Sequence, residues 1–103
     1  MKKKNLKKFL LRKYQVTKDA ERNVIISYLE PQEGKAIIWP AGGKLQAELY
    51  GLRLPYIFNM NYYGKLDISE NDAICLNGTE AEYKVISIKE YSKFKFIEIE
   101  KIR

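Results

Sequence analysis

The side chains that most often carry acid–base or metal chemistry are scarce in this sequence. Its 103 residues include no histidine and one cysteine, Cys75. Histidine is the commonest general base and metal ligand, and thiolate zinc sites need several cysteines. Cys75 lies in an apolar stretch without an imidazole partner, so a buried structural thiol is favoured over an activated nucleophile. We therefore expect no enzyme activity, no cofactor and no metal site.

Two short motifs resemble ligand-binding loops but lack residues that such loops need. PAGGK, at 40–44, is too short for a phosphate loop and lacks its terminal serine or threonine. DISEND, at 67–72, places oxygen ligands at alternate positions, but the glycine and the distal glutamate of a calcium loop are absent. We interpret both as turns, since these residue types favour turns.

Recognition through surfaces is the remaining class of function. Six tyrosines accompany three basic residues: Tyr50, Tyr56, Tyr62, Tyr63, Tyr83 and Tyr91, with Lys44, Arg53 and Lys65. Such a set could form a stacking platform for single-stranded nucleic acid on a small barrel, or a protein interface. The interface is favoured because the basic residues are scattered and only four of nineteen are arginine.

The formal net charge of +6 is concentrated at the N-terminus. Seven basic residues and no acid precede Tyr14: Lys2, Lys3, Lys4, Lys7, Lys8, Arg12 and Lys13. Subtracting these 7 from 19 basic residues leaves 12 against 13 acidic ones, so the remainder carries about −1. The sequence thus predicts a basic arm at 1–14 and a single domain at 15–103.

The arm has the spacing of a short amphipathic helix. Its apolar side chains share one side, which predicts docking on an acidic protein groove through Lys3, Lys4, Leu6, Lys7, Phe9 and Leu10. Phosphate binding and a solvated terminus are the alternatives. The apolar run at 9–11 is too short for a signal peptide, and no stretch reaches the length of a membrane span.

Apolar alternation predicts an all-β domain, a small β-barrel or sandwich of six to eight short strands. Strands are expected within Val24–Leu29 and Lys35–Trp39, and 45–50 alternates as a strand does. Gly51 and Pro55 predict a bulge, bend or edge, and the segment Pro40–Pro55 is a candidate mobile loop.

The last third predicts two hairpins. Asn77-Gly78 suits a two-residue turn, and Ser92-Lys93 a second one. The second turn pairs Glu90 with Lys95, Ile88 with Ile97 and Ile86 with Ile99 on one face, and Tyr91 with Phe94, Lys89 with Phe96 and Tyr83 with Ile102 on the other. The strand from Tyr83 is therefore apolar on both faces, which requires a closed barrel or a neighbouring chain.

The order of these features resembles that of the tailed-bacteriophage head-completion proteins, also called head-closure, stopper or head-tail connector proteins. The resemblance covers 30–102, and its most telling parts are YGLRLPY at Tyr50–Tyr56, END at Glu70–Asp72 and the strand Tyr83–Ile88.

The resemblance implies a virion protein of the phage neck, assembled in the bacterial host cytoplasm. Its copies would form a homo-oligomeric ring, for which we expect twelve copies, between the portal adaptor and the tail completion protein. The ring would line or close the DNA exit channel, in passing contact with double-stranded DNA and with no membrane. Candidate channel or partner contacts are Lys44, Tyr50 and Arg53. The alternative is a small basic β-barrel that binds nucleic acid.

Overall fold

The computed structural model describes residues 6–102. Its elements are β1 (Lys7–Arg12), β2 (Tyr14–Lys18), β3 (Val24–Tyr28), β4 (Gln32–Pro40), α1 (Gly43–Tyr50), a 3₁₀ helix (Gly51–Tyr56), β5 (Ile57–Tyr62), β6 (Ala73–Cys75), β7 (Tyr83–Glu90) and β8 (Lys95–Lys101). The strands at β3 and β4 confirm the two predicted from the apolar runs.

Six strands form a closed antiparallel barrel in the order β1-β4-β5-β8-β7-β6. This confirms the all-β prediction and selects the barrel over the sandwich. The core fills the barrel with alternate side chains from every strand, as a small closed barrel requires. Its buried members are Phe9, Leu11, Ala36, Met60, Tyr62, Ile68, Ile74, Tyr83, Val85, Ile97 and Ile99.

The segment predicted as a helical arm is instead the strand that closes the barrel. β1 pairs with β4 on one side and with β6 on the other. Phe9 and Leu11 alternate into the core, and Gly34, opposite Phe9, leaves room for its ring, since a Cβ there would lie 2.7 Å from that ring. The helix prediction failed because strand and helix spacing both fit so short an apolar set. Residues 1–5, with Lys3 and Lys4, lie outside the described residues.

The alternating segment after PAGG is helical, not extended. α1 contains strong helix formers, and Leu45 and Leu49 are four residues apart, a spacing that suits a helix as well as alternation suits a strand. Positive φ angles at Gly43 (87°) and Gly51 (55°) mark its two ends. The candidate mobile loop is therefore largely occupied by α1 and the 3₁₀ helix.

The β7–β8 hairpin confirms the predicted register only near its turn. Glu90 pairs with Lys95, Lys89 with Phe96 and Ile88 with Ile97, and Tyr91 donates its backbone N–H to Phe94 at 2.8 Å.

A β-bulge between Val85 and Ser87 then shifts the pairing by one residue. The expected pairs of Ile86 with Ile99 and of Tyr83 with Ile102 are wrong: Val85 lies opposite Ile99, and Tyr83 opposite Lys101. The extra residue lets Tyr83, Val85 and Ile88 all pack on the core, which accounts for the two-faced apolar pattern.

The predicted hairpin of β6 and β7 forms, but its connection is longer than two residues. Pairing ends at Ile74 with Tyr83, and the loop between the strands is organised by Glu82. The Glu82 carboxylate accepts the backbone N–H groups of Leu76, at 2.8 Å, and of Asn77. Burial raises the pKa of Glu82, but these donors outweigh it and hold that pKa below its usual value.

β2 and β3 form a separate two-stranded sheet outside the barrel. The described part of the chain measures 49 × 30 × 27 Å, so the molecule is elongated rather than spherical. No helix within residues 6–102 has the length and hydropathy of a membrane span.

Candidate interaction surfaces

Helix α1 presents its leucines to solvent. Leu45, Leu49 and Leu52, which we name the leucine stripe, are 77%, 67% and 96% exposed. Their spacing of four and three residues places them on one side of α1 and the start of the 3₁₀ helix. A surface helix normally turns such a stripe toward the core. In α1 the apolar side faces solvent and the polar side faces the barrel, an orientation that we call inside out.

The side of α1 that faces the barrel is polar. The Gln46 side chain donates to Asn59 Oδ1 at 2.6 Å and to Glu98 Oε2 at 2.7 Å. Asn59 and Glu98 are opposite one another on β5 and β8, and both are buried. Glu98 has no ion pair with a described residue, so amide and hydroxyl groups satisfy this buried carboxylate.

Two of the predicted contact residues reinforce this attachment. Burial, together with a hydrogen bond to Glu98, raises the pKa of Tyr50 to about 12. Arg53 forms a bidentate pair with Glu100, at 3.0 and 2.6 Å, and its guanidinium lies 5.5 Å from the centre of the Tyr50 ring. The structure therefore brings Tyr50 and Arg53 together, whereas Lys44 is exposed at the start of α1. Their contact with a channel or partner stays a prediction.

The β2–β3 hairpin carries a second exposed apolar surface. Val16 pairs with Ile26 and Lys18 with Val24, so Val16, Val24 and Ile26 share one face, which we name the hairpin face. All three side chains are exposed. Because an isolated two-stranded hairpin is at best marginally stable in water, this face is suited to a partner.

Polar contacts hold the base of the hairpin. The Arg12 guanidinium donates to the backbone carbonyls of Leu29 at 2.8 Å, Tyr28 at 2.9 Å and Thr79 at 3.0 Å. The sequence analysis placed Arg12 in the basic arm. Its role in holding the base of the hairpin becomes visible only because β1 is part of the barrel.

The buried carboxylate of Asp72 forms a second clamp at this base. It accepts the Lys13 ammonium at 2.6 Å and the backbone N–H groups of Tyr14 at 2.9 Å and Ser69 at 2.8 Å. The END turn thus has a structural role that its sequence did not reveal.

A third surface lies on the outer side of strands β4, β5, β8 and β7. We name it the aromatic groove, and its rings are Trp39, Tyr63, Tyr91, Phe94 and Phe96. Phe94 stacks on Tyr91 at 5.0 Å and lies 5.5 Å from Tyr63, while Trp39 and Phe96 are 6.2 Å apart. Of the six tyrosines noted in the sequence, only Tyr63 and Tyr91 present exposed rings in this groove. Tyr62 and Tyr83 are buried in the core, and the other two lie on α1 and the 3₁₀ helix, so whether a stacking platform or a protein interface forms stays a prediction.

The expected arm contacts are also divided by the structure. Phe9 is buried inside the barrel, so it cannot dock on a partner. Leu6 and Leu10 are half-buried, and Lys7 is exposed. The docking-arm hypothesis is thus wrong for Phe9, and Lys3 and Lys4 lie outside the described residues.

Groups suited to chemistry are few within residues 6–102. No cluster of three or more acidic or cysteine side chains there could hold a metal ion. Cys75 is buried, and burial raises the pKa of its thiol.

Comparison with known proteins does not identify the chain: no protein-family model, no curated protein and no solved structure matches it.

Proposed function

We propose that this chain is a structural protein of the tailed-phage neck. Its copies form a ring that joins the portal adaptor to the tail completion protein and lines or closes the DNA exit channel in the virion. The observation that carries the proposal is the inside-out orientation of α1. The closed barrel and the resemblance over 30–102 support it.

An exposed leucine stripe has a physical cost that only association removes. The stripe could not simply turn inward, because Gln46 on the opposite side of α1 satisfies the buried Asn59 and Glu98. A contiguous exposed apolar surface backed by a buried polar attachment is the signature of an interface.

The two apolar surfaces lie on different elements, which suits a ring. When one surface of a copy contacts a different surface of the next copy, the contact is heterologous and closes into a ring if the rotation allows. In the proposed ring, the hairpin face of one copy docks on the leucine stripe of its neighbour.

The apolar side chains involved are sufficient for association. Fully burying one such side chain contributes about 1.5–3 kcal/mol, so three leucines contribute at most about 5–9 kcal/mol. The hairpin face adds a similar amount from Val16, Val24 and Ile26. Since association costs about 4–15 kcal/mol in lost freedom, both surfaces must be buried for a stable ring.

Charged substitutions on each surface test the ring. Leu49→Asp and Ile26→Asp should each reduce ring formation, measured by analytical ultracentrifugation and native mass spectrometry across a concentration series. Ala47→Asp and Gln15→Asp place the same charge at exposed positions of the same elements but outside the two surfaces, so they should leave assembly unchanged.

A mixing experiment tests which surface meets which. Leu49→Asp retains an intact hairpin face, and Ile26→Asp retains an intact leucine stripe. Mixed in equal amounts, the two variants should form dimers that cannot grow, whereas neither forms dimers alone. Failure of the mixed variants to pair would refute docking of the hairpin face on the stripe.

The neck assignment has its own test. The purified chain should join a complex of portal and adaptor and should then recruit the tail completion protein, and Leu49→Asp should lower its incorporation. A chain that stays monomeric at high concentration and is not incorporated beside these proteins contradicts the proposed function.

The second candidate is a small basic β-barrel that binds nucleic acid. The aromatic groove and the net charge of +6 are the observations that favour it. Neighbouring genes for portal, adaptor and tail proteins would favour the neck, while ribosomal or replication genes would favour this candidate.

A further inference from the structure

We propose that the aromatic groove is a binding site for single-stranded nucleic acid, in which bases stack on its exposed rings and Lys89 and Lys93 contact the phosphates. This site is separate from the leucine stripe and the hairpin face. It does not rest on the neck function, and it specifies the site and the kind of nucleic acid for the second candidate function. The groove has two adjoining parts, of about 360 and 330 Å³, that share Tyr91 and Phe94.

The rings provide two places for a base. At one end, Trp39 and Phe96 have centroids 6.2 Å apart, and at the other Tyr91 is stacked on Phe94 with Tyr63 beside it. Every base has a π-face, so such rings bind single strands with little regard to sequence. Trp39, Tyr63 and Tyr91 are open to solvent and available for this contact.

The charges around the rings suit a polyanion. The two parts of the groove are lined by Lys89, Lys93, Lys95 and one acid, Glu90, which gives 3 − 1 = +2. Glu90 pairs with Lys95 at 3.5 Å, and neither Lys89 nor Lys93 has an ion pair within residues 6–102. Flat rings beside two ammonium groups that have no ion pair in the described part of the chain match bases beside phosphates better than they match an acidic peptide.

A polar group of the groove also lacks a partner. Asn61, which lies opposite Phe96 on the neighbouring strand, contributes a side-chain oxygen that is buried and accepts no hydrogen bond within the described part of the chain. A buried acceptor without a donor is destabilising. Rotation of the Asn61 amide toward the groove would let an amino or imino group of a bound base supply that donor.

The groove distinguishes a single strand from a duplex. In a duplex the base faces are stacked on one another and are closed to protein rings, so the groove requires a single strand. Because the groove is open to solvent and partly lined by polar side chains, a 2′-hydroxyl can stay hydrated there, and the lining accepts DNA and RNA alike.

Trp39 is the only tryptophan of the chain, so the tryptophan fluorescence of the protein reports directly on binding in the groove. Titration of the full-length chain with a twelve-nucleotide thymidine oligomer should quench Trp39 emission in a saturable manner. Fluorescence anisotropy of the labelled oligomer gives the affinity in parallel.

A matched pair of tyrosine variants locates the contact. Tyr91, in the groove, and Tyr56, in the 3₁₀ helix outside it, are 55% and 54% exposed. Tyr91→Ala should weaken binding about 5- to 150-fold, the loss of one stacked base. Tyr56→Ala should leave the affinity unchanged.

Salt dependence tests the phosphate contacts. Each phosphate neutralised in a single strand adds about 0.7 to the slope of log K against log salt concentration. Lys93→Ala should therefore lower the slope by about 0.7, and Lys35→Ala, at an exposed lysine outside the groove, should not change it. The test compares the slope of each variant with that of the wild type, because the N-terminal lysines add the same salt dependence to all of them.

Several outcomes would overturn the site. Binding without a change in Trp39 emission, or an equal loss in Tyr91→Ala and Tyr56→Ala, would place the DNA elsewhere on the chain. An unchanged slope in Lys93→Ala would remove the phosphate contact. Equal affinity for duplex DNA would refute the assignment to a single strand.

Discussion

Replacing Asp72 with alanine should release the base of the β2–β3 hairpin. This carboxylate joins two segments distant in sequence, because it accepts the Lys13 ammonium at 2.6 Å and the N–H groups of Tyr14 and Ser69 at 2.9 and 2.8 Å. Its side chain is 2% exposed, so water cannot replace it without a rearrangement.

The size of the effect follows from the groups left behind. Breaking a buried ion pair by removing one partner costs about 3–5 kcal/mol. The Lys13 ammonium keeps the Asp67 carbonyl at 2.7 Å and the Ser69 hydroxyl at 3.2 Å, and it is partly solvated. We therefore expect the low end, a loss of about 3 kcal/mol, against a total stability of about 5–15 kcal/mol for a domain of this size.

The assay is urea unfolding followed by circular dichroism, with hydrogen exchange at the amides of Tyr14 and Ser69. Exchange at both amides should accelerate. Asp67→Ala is the control, since that carboxylate is 91% exposed and lies 4.0 Å from the same ammonium, so it should cost less than about 1 kcal/mol.

Asp72→Asn keeps one acceptor oxygen and provides a milder variant should the alanine variant not fold. A loss below about 1 kcal/mol in Asp72→Ala, or unchanged exchange at Tyr14 and Ser69, would show that the clamp does not hold the hairpin base.

Three further predictions concern the barrel and α1. Ile99→Ala should cost about 2–5 kcal/mol in chemical denaturation, and Ile86→Ala less, because Ile99 is fully buried and Ile86 sits partly buried at the bulge. The Arg53 guanidinium lowers the pKa of Glu100 by hydrogen bonding, so its stabilisation is present above the unfolded pKa and is lost as pH falls through the folded pKa. Arg53→Gln should accordingly match the wild type in acid and be less stable near neutral pH, and equal differences at both pH values would refute the pairing. The raised pKa of Tyr50, about 12, means that its stabilisation is complete below its ordinary pKa near 10 and is lost as pH rises toward 12. Tyr50→Phe should lower the amplitude of the high-pH part of the ultraviolet titration by one tyrosine, the remainder including Tyr83, whose pKa is also raised by burial. An unchanged amplitude would contradict the assignment.

The sequence pattern alone predicted the strand pairing correctly where the two strands are close in sequence. The β7–β8 turn at Ser92 and Lys93 sets which residues meet first, so the pairs next to it followed from loop length and alternation. Beyond those pairs, the bulge at Ile86 could not be inferred, because it arises from the need to keep Val85 and Ile88 on the same interior.

β1 shows where local pattern fails. Half of its six residues are basic, and the alternation of Phe9 and Leu11 spans only three residues. Its strand conformation depends on hydrogen bonds to β4 and β6, which lie far away in sequence. No pattern within 1–14 reports those partners.

The candidate surfaces depended most on tertiary structure. The leucines of α1 fit a core-facing strand as well as a helix, and only the buried Asn59 and Glu98 beneath Gln46 determine that the helix turns its polar side inward. The scarcity of histidine and cysteine, the apolar alternation and the excess of lysine could be established from composition and spacing, which are properties of neighbouring residues. Exposure is a property of the folded chain, because it depends on which distant segments cover a side chain. The exposure of the leucine stripe and of the aromatic groove is therefore determined by the tertiary structure and could not be predicted from the sequence.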